Sequence, residues 1–377
     1  MKAKITTSII SFLMILGTTR AQEVSTLISD NSRRFESIHW LPDGKIFSVD
    51  FSNGRVYRIF PDGNVETILT NTPGILGGGF DQMGNMYVAH YNDGEIIRVQ
   101  GNGATESVAS GFSGPIAILQ DSSDPDLFYV TEYATSEVST FNMSTGQRSP
   151  WLEDDGIFFP DGIIYGWDGE IIVANFENHK MNQVDAEGNI VPFADLGVSG
   201  DMGYITIVGD FLYTTSLSSN KVYRVDMDGN SEVLAGTGTG GFTDGSFDLA
   251  TFTDPNGICA NPAGDTLLVA DVDKIRVITG FSPQPTNVER AVDDRDFTLY
   301  PNPSNDVLNV SISKNIGGQI LWGVTDISGK SIMEGSVIND RMSLFSIDIS
   351  QLDSGSYFLN IFNENGKPIS KPFVKYD

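Results

Sequence analysis

The sequence predicts an all-β fold, a six-bladed β-propeller followed by a small Ig-like β-sandwich. One observation is a unit of four short β-prone runs that recurs about every forty residues between 24 and 280, which is typical of propeller blades. A second is the change beyond residue 296 to short alternating strands at near-regular spacing, which favours a sandwich. A third is the 40 glycines, which suit a fold made of many turns.

The N-terminus has the pattern of a secretory signal peptide. Lys2 and Lys4 precede an apolar run over 5–16, and Thr19-Arg20-Ala21 before Gln22 has the form of a cleavage site. The run is too short to anchor a chain across a bilayer. We therefore predict that residues 1–21 are a signal peptide, that no transmembrane segment follows, and that the protein leaves the cytoplasm.

The propeller is predicted over 22–280, and its repeat is clearest at 158–176, FFPDGIIYGWDGEIIVANF. There two β-prone runs flank an Asp-Gly turn, a strong hairpin signal. Six such hairpins occur, each followed by a third strand. The sixth unit lacks an obvious fourth strand, whereas Val24–Ile28 is a lone strand-like segment. We predict that Val24–Ile28 closes the ring as the missing outer strand.

Charge and cysteine content exclude several kinds of site. The chain has 49 Asp and Glu against 23 Lys and Arg, a net charge of −26. Nucleic acids and anionic membranes need basic surfaces, so neither is expected as a partner. Cys259 is the single cysteine, which excludes an internal disulfide and, with three histidines in all, a thiolate zinc site.

Residues 281–296 are charged and contain prolines without apolar periodicity, so we predict a linker there. The segment 297–377 then carries the predicted sandwich. Its phrases FTLYPNP (297–303), DISGK (326–330), LDSGSY (352–357) and the closing FVK (373–375) resemble a type A C-terminal sorting domain of the type IX secretion system. The resemblance implies that 297–377 engages that machinery and that the protein reaches the exterior or the cell surface of a Gram-negative bacterium.

The repeats carry a second resemblance. Residues 234–258 with 268–271 are similar to an NHL repeat, and FESIHW (35–40) with PDGKIFSVD (42–50) resembles the first blade of the SMP-30/gluconolactonase group. This resemblance covers about 24–280. It implies a six-bladed propeller, and in that group one divalent ion at the ring axis supports lactone hydrolysis.

Polar residues are predicted to meet at one end of each hairpin. Antiparallel pairing brings the residue about seven before each turn beside the residue about seven after it. All twelve positions then surround the mouth of the central channel on one face of the ring. The pairs are Glu36/Asp50, Leu76/His90, Gly114/Glu132, Asp161/Asn175, Met202/Ser216 and Asn256/Asp271.

Five of these positions offer oxygen atoms of the kind that Ca²⁺ prefers, so a divalent cation is the expected cofactor. They are Glu36, Asp161, Asn175, Asn256 and Asp271. The SMP-30 resemblance implies Glu36, Asp161 and Asn256 as ligands of an ion that polarises a lactone carbonyl. The structural alternative is that Asp and Asn at strand ends close turns with their own backbone. Glu36 is the residue that this alternative explains least well.

His90 is the one imidazole among the twelve positions, either a general base or a hydrogen-bonded structural residue. The rings of Tyr91, Tyr133, Phe176 and Tyr204 flank the mouth, where they would stack on a ligand or pack surface loops.

Two functions follow. The first is binding of a small molecule, glycan or protein at the mouth or at the insertion 236–252, and the alternative is a metal-dependent hydrolase of lactones or related esters. Binding comes first because Leu76, Gly114 and Met202 offer no side-chain ligands for a metal ion.

Overall fold

The computed structural model describes residues 22–41, 44–153, 156–185, 188–198, 201–281, 297–312, 318–326, 330–339, 344–362 and 368–376. The predicted signal peptide and residues 282–296 of the predicted linker lie outside the described residues. All the regular secondary structure in the described ranges is β-strand. None of the described residues forms a helix long and apolar enough to cross a membrane. The chain divides near Ser282 into two compact units.

The described residues of the first unit form six four-stranded sheets from strands β1 to β24. In chain order the strands are β1 (Glu23–Ser29); β2 (Ile38–Trp40), β3 (Ile46–Asp50), β4 (Arg55–Ile59) and β5 (Val65–Leu69); β6 (Ile75–Phe80), β7 (Met86–His90), β8 (Glu95–Val99) and β9 (Thr105–Ser110); β10 (Pro115–Gln120), β11 (Leu127–Glu132), β12 (Glu137–Asn142) and β13 (Gln147–Leu152); β14 (Pro160–Tyr165), β15 (Ile171–Asn175), β16 (Lys180–Val184) and β17 (Ile190–Asp195); β18 (Met202–Val208), β19 (Phe211–Ser216), β20 (Lys221–Asp226) and β21 (Ser231–Ala235); β22 (Pro255–Ala260), β23 (Thr266–Asp271) and β24 (Lys274–Thr279).

Each of the first five sheets follows the chain, because short polar turns join neighbouring strands into antiparallel hairpins. The second strand of a sheet pairs on both sides and packs against other sheets on both faces. Strands β3, β7 and β15 are accordingly buried at every position.

The six sheets form a closed ring in chain order. Hydrophobic clusters join the first sheet to the second, the second to the third, and the sixth to the first. Hydrogen bonds join the other neighbours: Phe159 N to Ser136 Oγ (3.1 Å) between the third and fourth, Met202 N to Phe176 O (2.9 Å) between the fourth and fifth, and Thr215 Oγ1 to Asn256 O (2.5 Å) between the fifth and sixth.

Strand β1 completes the sixth sheet by pairing antiparallel with β24, with Val24 opposite Ile278 and Thr26 opposite Arg276. Val24–Ile28 therefore occupies the place that the sequence predicts for it. Closure in this way leaves no unpaired edge on the outer side of β24.

The insertion 236–252 fastens this closing strand. The Asp244 carboxylate accepts hydrogen bonds from Thr26 N (3.1 Å), Thr26 Oγ1 (2.8 Å) and Arg276 Nη2 (2.9 Å). Val24 and Gly245 also exchange two backbone hydrogen bonds of 2.8 and 2.9 Å. Much of this segment, which the sequence analysis proposes as a second ligand surface, thus packs against the paired strands β1 and β24 that close the ring.

The second unit contains two sheets around one core. Its strands are β25 (Phe297–Tyr300), β26 (Val307–Ile312), β27 (Gly318–Asp326), β28 (Ser331–Asn339), β29 (Leu344–Asp348), β30 (Gly355–Phe362) and β31 (Pro368–Lys375). One sheet has the order β25-β26-β29 and the other β28-β27-β30-β31. Buried side chains from both sheets, among them Phe297, Val310, Val324, Leu359 and Phe373, form a single hydrophobic cluster.

Candidate functional site

Three of the predicted site residues lie together although they come from three different sheets. Glu36 precedes β2 in the first sheet, Asp161 is the second residue of β14, and Asn256 is the second residue of β22. Asn256 Nδ2 donates a hydrogen bond to Glu36 Oε2 at 3.3 Å. Asp161 lies opposite, close enough to Glu36 for the two carboxylates to repel each other. The first and fourth sheets are across the ring from one another, so these residues meet at its axis.

Tyr204 is the fourth member of this group, which we call the axial site. It comes from β18 in the fifth sheet and reaches across the ring to the second sheet, where a β-carbon at Gly77 would lie 2.3 Å from its Oη. Its hydroxyl is buried and makes no hydrogen bond of ordinary geometry among the described residues, although the Ser37 side chain lies close enough to interact with it. Burial first, and then the charges of Asp161 and Glu36, raise the pKa of Tyr204 well above its usual range.

Hydroxyl groups of neighbouring sheets hold the backbone of two axial residues. Thr131 Oγ1 in β11 lies 3.4 Å from the Asp161 carbonyl oxygen, and Thr215 Oγ1 in β19 donates to the Asn256 carbonyl oxygen at 2.5 Å. Gly203 allows the second approach, since a β-carbon there would lie 2.5 Å from Asn256 O and 2.8 Å from Asn256 Oδ1. Asp161 and Asn256 are therefore fixed from the sheet before them.

A second negative charge beside Glu36 is unfavourable in the axial site. Burial and the nearby Glu36 carboxylate raise the pKa of Asp161 to about 8. The Asp161 carboxylate has no hydrogen bond or ion pair with the described part of the chain. Glu36 has one cationic neighbour, Arg34, whose Nε donates to Glu36 Oε1 at 2.7 Å from a half-exposed position.

Unpaired polar atoms point to the same place. Asn256 is buried, and its Oδ1 has no hydrogen-bond partner within the described ranges; the same is true of Ser37 Oγ beside Tyr204. A buried polar atom without a partner costs about 1–3 kcal/mol. Such atoms also occur elsewhere in the described ranges, but the axial site brings three of them next to two carboxyl groups. An amide oxygen, two carboxylates and a phenol hydroxyl can together hold a hard cation or the polar groups of a ligand.

Asp271 and Asn175, the other two predicted metal ligands, lie outside this group. In the sixth sheet Asp271 pairs with Pro255, and an irregularity in the register follows, so Asn256 and Asp271 point to opposite sides. Asp271 accepts hydrogen bonds from Arg276 Nη1 (3.0 Å) and Thr253 N (2.7 Å) inside its own sheet. The prediction that Asn256 and Asp271 lie opposite each other is therefore wrong, because the residue opposite Asp271 is Pro255.

Asn175 and His90 are held by contacts within their own sheets. Asn175 Oδ1 accepts a hydrogen bond from Phe158 N at 3.0 Å, and its Nδ2 donates to Gly156 O at 2.9 Å. His90 Nε2 lies 2.9 Å from Pro73 O, and its Nδ1 lies 3.1 Å from Asp93 Oδ2. Both ring nitrogens of His90 are thus engaged away from the axial site.

The same role recurs in other sheets. In each of these sheets, the side chain that ends the second strand accepts a hydrogen bond from a backbone N–H in the segment that leads into the first strand. The donor and acceptor pairs are Arg34 N to Asp50, Ser113 N to Glu132, Phe158 N to Asn175 and Thr253 N to Asp271. This repeat is a structural role, but it joins two segments of one sheet and is not the local turn closure that the sequence offers as the alternative.

A cavity of about 460 Å³ between the first and second sheets lies at the opposite end of the strands from the axial site, and no axial residue is among the residues described as lining it. Phe47, Phe80, Arg58 and Arg98 contribute to its wall. Both arginines belong to an ion pair that recurs in the ring, and the pairs are Arg58–Glu66, Arg98–Glu106 and Arg224–Glu232. The repetition indicates a structural role, so we place the candidate site at the axis.

Comparisons with known proteins give separate matches for the two units. Residues 298–375 match the family model described as a secretion system C-terminal sorting domain. No curated protein sequence matches the chain significantly.

Among solved structures, a catalytically inactive virginiamycin B lyase from Staphylococcus aureus with quinupristin is 19% identical, with a TM-score of 0.51 over 67% of this chain and 82% of that one. A gluconolactonase from Xanthomonas campestris is 13% identical, with a TM-score of 0.54 over 68% and 89%. An auxiliary nutrient binding protein from Bacteroides thetaiotaomicron is 13% identical, with a TM-score of 0.59 over 68% and 76%. The C-terminal unit is therefore a secretion system sorting domain, and the described part of the first unit shares the fold of these propeller proteins.

Proposed function

We propose that this protein is a six-bladed β-propeller that binds a ligand at the axial mouth of its ring. The sorting domain marks a secreted or cell-surface protein. The proposal adds a Gram-negative type IX route, a propeller over 22–280, a linker over 281–296, and an Ig-like sandwich over 297–377 that engages the export machinery. The six four-stranded sheets, closed by β1, support the count of six blades.

The observation that carries the binding function is the convergence of Glu36, Asp161, Asn256 and Tyr204 from four sheets. Two carboxylates without a shared counter-charge lie beside an amide oxygen and a phenol hydroxyl that lack partners. Folding bears the cost of burying these groups, which a bound ligand would offset. An auxiliary nutrient binding protein among the similar folds agrees with a binding role.

The same groups fit a divalent cation, with Ca²⁺ as the best match to an all-oxygen site. Glu36, Asp161 and Asn256 Oδ1 would be its protein ligands, with water completing the coordination. Within the described ranges no three His, Cys, Asp or Glu side chains are arranged to hold a metal, so the amide oxygen of Asn256 is an essential part of the proposal. Asn175 and Asp271 are left out because backbone groups and Arg276 occupy their side chains.

Titration calorimetry with calcium, magnesium, manganese and zinc tests this site. We expect one bound ion per chain in the wild-type protein and its loss in Asp161→Asn. The matched control is Asp228→Asn, the same chemical change in an exposed turn between β20 and β21. Absence of binding by the wild-type protein, or equal binding by both variants, would contradict the cation site.

A metal-dependent hydrolase of lactones or related esters is the second candidate, and the Tyr204 hydroxyl next to the two carboxylates favours it. A cation at this site would polarise a lactone carbonyl. Glu36, Asp161 and Asn256 would hold that cation, and Tyr204 Oη would donate a hydrogen bond to an oxygen of the substrate. His90 is left out of this candidate because both of its ring nitrogens already have partners. Lactone hydrolysis that requires the added metal and is lost in Glu36→Gln would support catalysis, whereas full ligand binding without turnover would support binding alone.

A further inference from the structure

Four aromatic side chains follow one another around the rim of the mouth. Phe51, Tyr91, Tyr133 and Phe176 each come directly after the second strand of successive sheets, from the first to the fourth. The centroids of successive rings are 6.3, 6.3 and 5.7 Å apart. All four rings are half-buried, so each leaves part of its surface exposed to solvent. We call this set the aromatic arc.

Three carboxylates continue the rim beyond the aromatic arc. Glu177 follows the ring of Phe176, Asp201 precedes β18 in the fifth sheet, and Asp254 precedes β22 in the sixth. We call these three residues the acidic arc. The two arcs touch where Tyr133 Oη donates to Glu177 Oε1 at 3.3 Å. None of the three carboxylates forms an ion pair with a residue that the structure describes.

The charges of the acidic arc act on one another. Burial, and then the charges of Glu177 and Asp254, raise the pKa of Asp201, while His179 opposes the effect. Burial, and then the Glu177 carboxylate, raise the pKa of Tyr133 to about 12. Like charges held this closely repel each other, and a cation between them and the rings would relieve the repulsion.

We propose that the mouth recognises an organic cation, a ligand in which an ammonium-type charge adjoins a ring or alkyl group. Aromatic faces attract such a charge through their quadrupole, and the adjoining carboxylates neutralise it. A neutral sugar would use the aromatic arc but would leave the acidic arc uncompensated. The inference rests on the proposed function, because it names the class of ligand for the same mouth.

Benzyltrimethylammonium is a suitable probe, with benzyl alcohol as its neutral counterpart, benzylsulfonate as its anionic counterpart, and cellobiose as a neutral sugar. Calorimetric titration of the full chain at low and high salt gives the affinities. We expect the cation to bind best, with affinity that falls as salt screens the acidic arc. Asp201→Asn and Tyr133→Leu should each weaken its binding by about 2- to 30-fold, whereas Asp228→Asn should not.

The outcomes separate this inference from the proposed function. If calcium binds but the ammonium probe binds no better than benzyl alcohol, the organic-cation inference fails and the axial site stands. Preferential, salt-independent binding of cellobiose would also overturn it. If neither calcium nor any probe binds, both proposals fail. If Asp201→Asn has the same melting temperature as the wild-type protein, its weaker binding of the probe does not result from unfolding.

Discussion

Replacing Asp161 by asparagine is expected to stabilise the cation-free protein at neutral and alkaline pH. Asp161 is buried beside Glu36, and these two causes raise its pKa from 3.8 to about 8. The unfolded chain therefore releases this proton at a much lower pH than the folded protein. Between those pH values the folded state holds the extra proton, so wild-type stability falls as the pH rises. An asparagine of the same shape carries no such penalty.

The size of the effect follows from the pKa shift. Each pH unit in this window changes the free energy of unfolding by about 1.4 kcal/mol, so moving from pH 5 to pH 8 should cost the wild-type protein about 4 kcal/mol relative to Asp161→Asn. Glu36 and its neighbours are common to both proteins, so their titration largely cancels. The advantage of the variant should be small near pH 4 and should level off above pH 8.

Urea denaturation in EDTA at pH 5 and pH 8, followed by tryptophan fluorescence, measures the difference. Calcium at a hundred times its dissociation constant should reduce the difference at pH 8 by about 2.7 kcal/mol, because the ion binds only the folded wild-type protein. Asp228→Asn should show neither effect. A pH-independent difference between wild type and Asp161→Asn would refute the reasoning.

Three further changes test the packing around the axis and the joint of the ring. Tyr204→Phe removes a buried hydroxyl without a partner among described residues, and should raise stability by about 1–3 kcal/mol in the same denaturation assay. Gly77→Ala places a β-carbon 2.3 Å from Tyr204 Oη and 2.5 Å from Ile116 O, so a loss of about 1–3 kcal/mol is expected, and an unchanged melting temperature would contradict this close approach. Asp244→Ala removes both hydrogen bonds to Thr26 and should lower stability by about 1–3 kcal/mol, with earlier hydrogen exchange in β1 than in β3.

Most of the ring can be predicted from the sequence because its signals are local. Asp-Gly turns between short apolar runs define hairpins, and their repetition defines the sheets. The closing role of Val24–Ile28 also follows, since a sixth unit without a fourth strand needs a partner. The fastening of that strand by Asp244 does not follow, because the contact joins residues more than 200 positions apart through an insertion that breaks the repeat.

The candidate site is predictable in part. Glu36, Asp161 and Asn256 are found because hairpin pairing fixes which strand ends face one mouth. Asp271 is also an aspartate at a strand end, but its side chain points away from the axial site because Pro255, and not Asn256, lies opposite it. The local sequence pattern does not reveal such an irregularity in strand pairing. Tyr204 is recognisable from sequence as a ring beside the mouth. Its role as a polar group depends on Gly77 across the ring, which only the packed structure reveals.

The joint between β1 and β24 has a consequence for how the chain matures. The two strands lie some 250 residues apart, so the sixth sheet cannot be completed until nearly the whole ring has been made and its ends have met. Until then both partners carry unpaired backbone groups, and the intermediate is exposed to pairing with other chains. Closure of the ring is therefore expected to be a late step in folding, which depends on the two ends of the first unit finding each other.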